Sequence, residues 1–326
     1  MISLKENMEL VYQREEPEYM PLFTDFDIAM LDSLDFVNER PVVPGVNKDW
    51  FGQKWTYEPT VKAANPTPGC PLVTDITLWR EQMKFPDLDK LDWEGRSARD
   101  TANWDRKNKM TRITVGFGLW ERMFSVMPFE DALCALLEEP EACYDFFGAV
   151  ADHKIRLHDK ILKYYKPDVL VMHDDYGTSQ GMFMDPQVWR ELIKPHLKRV
   201  VDHVQSYNCI YEHHNCGYFL PIMEDMLELN IHATNSVHIS NKPEYLKKKY
   251  GKDMTLVGGF DIQFLDSMTA TEPAIRESVR KTMDILAPGG GFIPRCTSTN
   301  EINGPIANDE ILKYSANFYH LRPELR

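Results

Sequence analysis

His214 and Cys216 lie two residues apart, so on an extended chain the imidazole and the thiol point to the same side. A neutral imidazole and a thiolate are good zinc ligands, and a catalytic zinc takes three protein ligands and keeps one position open. Cys296, at a later strand end, offers the third. The same residues read equally well as a hydrogen-bonded rim histidine and two cysteines buried as small apolar side chains. Carboxylates add a second chemistry. Asp174 and Asp175 are adjacent and face opposite ways if extended. Either could hold a proton when desolvated, orient a substrate group, or cap the turn before Gly177. Asp261 follows Gly258 and Gly259, glycines that let a backbone approach a ligand or simply turn tightly. Glu121 is another acid–base candidate, or else half of a surface ion pair with Arg122. Asn235, His238 and Gly259 complete the set as candidate cofactor contacts.

These residues need a frame that gathers them. From about Met110 onward, short apolar runs alternate with segments of helical period. Strands are expected at Arg112–Phe117, Asp168–Met172, Cys209–Tyr211, Ile231–Asn235, Met254–Val257 and Gly291–Ile293. Between them, helices are expected at Pro128–Leu137, Pro140–Tyr165, Pro186–Ser206, Tyr218–Glu228, Lys242–Tyr250 and Glu272–Leu286, with a last one at Asn308–Phe318. Strands alternating with helices imply a parallel sheet, and this many units favour a closed α/β barrel of the TIM (β/α)8 type. No dinucleotide or phosphate-loop fingerprint argues for an open sheet. In such a barrel the site lies at the C-terminal ends of the strands. Five successive strand ends carry His173-Asp174-Asp175, Glu212-His213-His214-Asn215-Cys216-Gly217, Asn235-Ser236-Val237-His238, Gly258-Gly259-Phe260-Asp261 and Pro294-Arg295-Cys296. The N-terminal third is irregular: Tyr19–Phe26 could be a first strand, and Val42–Leu72, rich in proline, reads as long loops rather than a separate domain. Met182, Phe183 and Met184 read as a pocket wall or as loop packing.

Composition sets outer limits. The formal net charge of -13 disfavours a nucleic-acid partner. Six scattered cysteines suit reduced thiols in a reducing compartment. With no apolar signal core at Met1–Glu6 and no run of about 18 apolar residues, the expectation is one cytoplasmic domain, residues 1–326, that spans no membrane.

Several motifs resemble the uroporphyrinogen decarboxylase superfamily and, within it, the corrinoid-dependent methyltransferases. They are Leu119-Trp120-Glu121-Arg122, then His173-Asp174-Asp175-Tyr176-Gly177, then Pro186-Gln187-Val188-Trp189 with Lys194-Pro195. His214-Asn215-Cys216-Gly217, Gly258-Gly259-Phe260-Asp261 and Ala287-Pro288-Gly289-Gly290-Gly291-Phe292 follow, and Asp75-Ile76-Thr77-Leu78-Trp79-Arg80 resembles the methyltransferase branch. The resemblance implies a TIM barrel, zinc on His214 and Cys216, and a partner protein carrying a corrinoid. In thiol-methylating members the third cysteine lies in the glycine-rich turn, where Gly290 stands here, and Cys296 comes later. True decarboxylases of the family hold four substrate carboxylates with an arginine-rich N-terminal segment, which the stretch around Tyr19–Phe23 lacks.

The expected function is therefore methyl transfer between a small methylated substrate and a corrinoid protein, with O-demethylation of a methoxylated aromatic as one form. Zinc or a delivered proton would make a poor leaving group leave. Asp174, Asp175 or Glu121 would be the acid or orienting group, and Trp50, Trp55, Tyr57 and Trp104 could line an aromatic pocket or merely pack. The alternatives are a metal-free decarboxylase and a non-catalytic corrinoid-binding barrel.

Overall fold

The structure, a computed structural model, describes residues 2–31, 36–60 and 63–322; Met1 and residues 61 and 62 of the proline-rich stretch lie outside it. Strand β1 (Phe26–Met30) is followed by β2 (Val46–Lys48), β3 (Lys54–Glu58) and β4 (Ala63–Pro66). Then come β5 (Met110–Val115), β6 (Val169–His173), β7 (Ile210–His214), β8 (Ala233–Val237), β9 (Thr255–Gly258) and β10 (Phe292–Ile293). β2, β3 and β4 form a small antiparallel sheet, and the other strands form one parallel sheet in the order β1-β5-β6-β7-β8-β9-β10.

The parallel sheet curls into a TIM-type α/β barrel. Phe26, Met110, Val169, Val171, Ala233, Val257 and Ile293, from six of its strands, share one interior cluster. Its strands read as near-continuous apolar runs because helices cover the outer face while side chains fill the inside. Among the described residues the sheet has seven strands rather than eight. Phe26 of β1 and Ile293 of β10, the strands on either side of the seam, belong to this same cluster.

One end of the barrel is plugged by the N-terminal helix Leu4–Tyr12, whose Met8, Val11 and Tyr12 enter the interior cluster. Ser3 and Glu6 form a capping box at its start, each bonding the other's backbone N–H. The first strand begins at Phe26 rather than Tyr19 because Asp25 folds back to accept from the Leu22 N–H, leaving Phe23–Asp25 as a tight turn.

The helix expected over Pro186–Ser206 is two, Pro186–Leu192 and Lys194–Gln205. Pro195 has no N–H for an interior turn and is tolerated only in the first turn of a new helix. The stretch expected as loops folds partly into the β2–β4 sheet, which is fixed to the barrel by a charge cluster without solvent access. Arg122 contacts Glu39 at 2.6 Å and Asp49 at 3.1 Å, and Lys154 contacts Glu39 at 2.7 Å. Arg122 therefore pairs with these carboxylates, not with Glu121 on the surface. No helix among the described residues is long and apolar enough to cross a membrane.

Candidate functional site

Register places the chemistry at one level of the barrel: His173 of β6 stands beside His214 of β7, and His214 beside Asn235 of β8. The two imidazoles stack, 3.6 Å apart and 4° from parallel. Burial lowers the pKa of both, so both rings are neutral near pH 7. The His214 Nδ1 lies 3.2 Å from Asn235 Oδ1, and the same oxygen accepts from Arg295 at 3.0 Å. An oxygen acceptor at Nδ1 requires the proton there, which leaves Nε2 with its lone pair free.

That lone pair faces Cys216, whose Sγ is 3.2 Å from Nε2. The loop after β6 brings Asp175 to the same place: its Oδ1 accepts the Cys216 N–H at 2.6 Å and lies 3.8 Å from His214 Nε2. One oxygen, one nitrogen and one sulfur donor thus lie within 4.8 Å of one another. Burial, with the Asp175 and Glu121 carboxylates, pushes the Cys216 thiol upward. A dication among these three groups would reverse that balance and favour the thiolate.

Below lies a polar network in the barrel interior. Glu212, two residues before His214 and hence on the same side of β7, receives Arg112 at 2.6 Å, Tyr12 at 2.7 Å and Asn235 at 2.7 Å. Burial alone would raise the Glu212 pKa, but the Arg112 charge and these hydrogen bonds outweigh it and hold the carboxylate ionised.

The candidates divide by role. Asp175, His214 and Cys216 are brought together. Glu121 is buried beside them, and burial, then the charges of Asp175 and Asp174, hold its carboxyl well above the usual range. Asp174 is fully buried and committed to the N-terminus of the helix Leu119–Val126. It accepts from the Leu119, Trp120 and Glu121 N–H groups at 2.9, 3.3 and 2.9 Å and from the Tyr176 hydroxyl at 2.8 Å. Burial pushes its pKa up to about 6, against the pull of those bonds. Gly118 makes this seat possible, since a Cβ there would fall 2.4 Å from the Asp174 side chain.

Cys296 is half-buried and does not belong to the three-donor group; it borders, with Arg295, a cleft at the β1–β10 seam. Asp261 caps the short helix Ile262–Leu265, and His238 caps the turn Ile239–Asn241. Gly259 packs against Leu286, which a Cβ would meet at 2.3 Å. Asn235 contacts the His214 ring rather than open space. Of the aromatic residues, Trp55 lies against Phe117 at the end of β5 with Tyr57 alongside. Trp50 packs on Phe51 and His153, and Trp104 lies beneath Arg106. Phe183 packs against Phe129. His173, Glu212 and Arg295 stand in the strand-end runs read from sequence without a role assigned to them, and Arg112 enters there only as a strand residue, although the two-residue strand period already sets Glu212 in line with His214.

Residues 96–300 match the family model for uroporphyrinogen decarboxylase (URO-D). No curated protein matches the chain. Among solved structures, a methyltransferase from Methanosarcina mazei aligns over 97% of this chain and 99% of its own, with a TM-score of 0.63 and 12% identity, a likeness of fold. A xylose isomerase-like TIM barrel protein from Mycobacterium smegmatis aligns over 67% of this chain and 75% of its own, with a TM-score of 0.33 and 11% identity.

Proposed function

Because the chain belongs to the uroporphyrinogen decarboxylase (URO-D) family, we propose that it is a methyltransferase that removes a methyl group from the heteroatom of a small substrate and delivers it to a corrinoid carried by a partner protein. The observation that carries this reading is the convergence of Asp175, His214 and Cys216 within 4.8 Å at the mouth of a barrel. These donors suit zinc: a neutral imidazole with Nε2 free, a thiol and a carboxylate, leaving room for an exogenous ligand. Asp175 takes the third place in this reading, where the sequence suggested Cys296.

A zinc ion held by these residues would supply Lewis-acid polarisation of the substrate heteroatom, and the corrinoid would supply the methyl acceptor. The chain's own residues do the rest. Asn235 fixes the His214 ring through Nδ1, and orienting contacts of this kind hold a ligand in place. When the methyl–heteroatom bond breaks, the bonding pair stays on the heteroatom, which then needs a proton. Glu121 keeps a proton on its buried carboxyl beside Asp175 and is the donor in this reading. Asp174 positions Glu121 by holding the first turn of its helix.

The test is a visible-spectrum assay of cobalt methylation with a panel of methoxylated and methylated compounds, alongside zinc analysis of the purified protein. We expect methyl transfer from at least one compound and about one zinc per chain. Absence of methylation with every compound, on free and protein-bound cobalt(I), overturns the function.

A further inference from the structure

At the seam between β1 and β10 a cleft of about 680 Å³ is bordered by Phe23, Thr24, Arg295, Cys296 and Thr297. Arg295 is its one guanidinium, and it is half-buried. It donates one hydrogen bond, to Asn235 Oδ1 at 3.0 Å, and lies 4.3 Å from the centre of the Phe23 ring. Among the described residues it has no ion pair within 4.0 Å. A second guanidinium, that of Arg112, shares the Phe23 ring at 5.0 Å, but it is committed to Glu212 at 2.6 Å. Two cations therefore stand over one carboxylate, and Arg295, which has no ion pair of its own among the described residues, borders the cleft.

A half-buried cation without a counter-charge is costly, and a guanidinium is shaped to receive a carboxylate through two parallel N–H bonds. The position is as informative as the charge. Asn235 Oδ1 is shared by Arg295 and the His214 Nδ1, so an anion on Arg295 would sit one side chain away from the His214, Cys216 and Asp175 donors.

We propose that the methylated substrate also carries a carboxylate, and that Arg295 in the seam cleft is the specificity residue that receives it while the methyl-bearing heteroatom reaches the His214 side. One free guanidinium balances a single negative charge, which favours a carboxylate over a phosphate dianion. Phe23 supplies an apolar wall for the body of the substrate. This inference rests on the reading of the His214, Cys216 and Asp175 cluster as the reacting end.

The test is calorimetric titration of the full chain with 3-methoxybenzoate, methoxyacetate and the neutral isostere 3-methoxybenzamide. The wild type should bind at least one of the two acids about tenfold or more tightly than the amide. Arg295→Gln should remove that preference without weakening amide binding, and Arg295→Lys should restore part of it. If the acids show no preference over the amide, or bind Arg295→Gln as tightly as wild type, the proposal is overturned; failure of all three compounds to bind overturns it equally. The two readings fail separately. Cobalt methylation from neutral substrates alone removes the carboxylate and leaves methyl transfer standing, whereas an Arg295-dependent acid preference without any methylation removes methyl transfer and leaves the anion site.

Discussion

Asn235 presents one oxygen to two cationic or proton-bearing neighbours and one amide to Glu212, so a single side chain sets the tautomer of His214. Replacing it with alanine should weaken zinc binding about 10–100-fold, measured by competition with a chelator of known affinity. Cys216→Ser, His214→Ala and Asp175→Asn should each drop the zinc content well below that of wild type, whereas Cys296→Ser should leave it unchanged. A loss of zinc in Cys296→Ser with retention in Asp175→Asn would restore the cysteine as third ligand. Much of this was legible in the sequence: the two-residue period aligns Glu212 with His214, and Cys216 follows just beyond the strand end, where Asp175 holds its backbone. The choice of Asp175 was not, because it depends on the path of the loop from His173 to Gly177, where no strand period applies.

At the level of elements, the helix Leu119–Val126 is held at both faces. Its first turn rests on Asp174, and Arg122 in its interior anchors Glu39 and Asp49 of the N-terminal segment. Removing one member of a buried charge cluster leaves the others uncompensated, so Glu39→Ala should destabilise the protein by about 3–5 kcal/mol in urea unfolding. Gly118→Ala should displace Asp174 and with it Glu121, lowering turnover more than it lowers the unfolding midpoint. Apolar periodicity placed Glu272–Leu286 at its expected range and Pro243–Tyr250 within one residue, whereas the last helix runs Asn303–Tyr314 rather than Asn308–Phe318 and the helix expected from Tyr218 begins at Met223 after the turn Leu220–Ile222. The small β2–β4 sheet escaped notice because its strands are short and exposed on alternate faces, and its anchor is a long-range pairing of Glu39 with residues about one hundred positions away. The opening helix carried a readable signal in the Ser3-Leu4-Lys5-Glu6 capping box, obscured by its charged composition.

Across the whole molecule, His153, His158 and His213 share one condition: burial lowers the pKa of each, that of His213 to about 3. Below about pH 6.5 the unfolded chain takes up protons that the folded chain refuses, so the stability these groups lend is complete above that value and is lost as pH falls. By pH 5 His213 should cost about 2 kcal/mol, and His153 and His158 act in the same direction. The urea midpoint should therefore fall between pH 7 and pH 5. His158→Leu, which removes ring nitrogens that have no hydrogen-bond partner, should flatten that slope. The barrel itself was legible from alternating runs, but these histidines were not, since two of them lie on the long helix Pro140–Tyr164 and turn inward only once it packs. The network under His214 also orders events in time. It joins Tyr12, Arg112, Glu212, Asn235 and Arg295, so its members come from nearly the full span of the chain. On a ribosome the first helix must wait for β7 before its Tyr12 hydroxyl meets Glu212, and for Arg295 after the last strand before the whole network is joined. A nascent chain stalled before residue 290 would therefore lack the guanidinium that closes the circuit, and the reactive centre would come into being only at the end of synthesis.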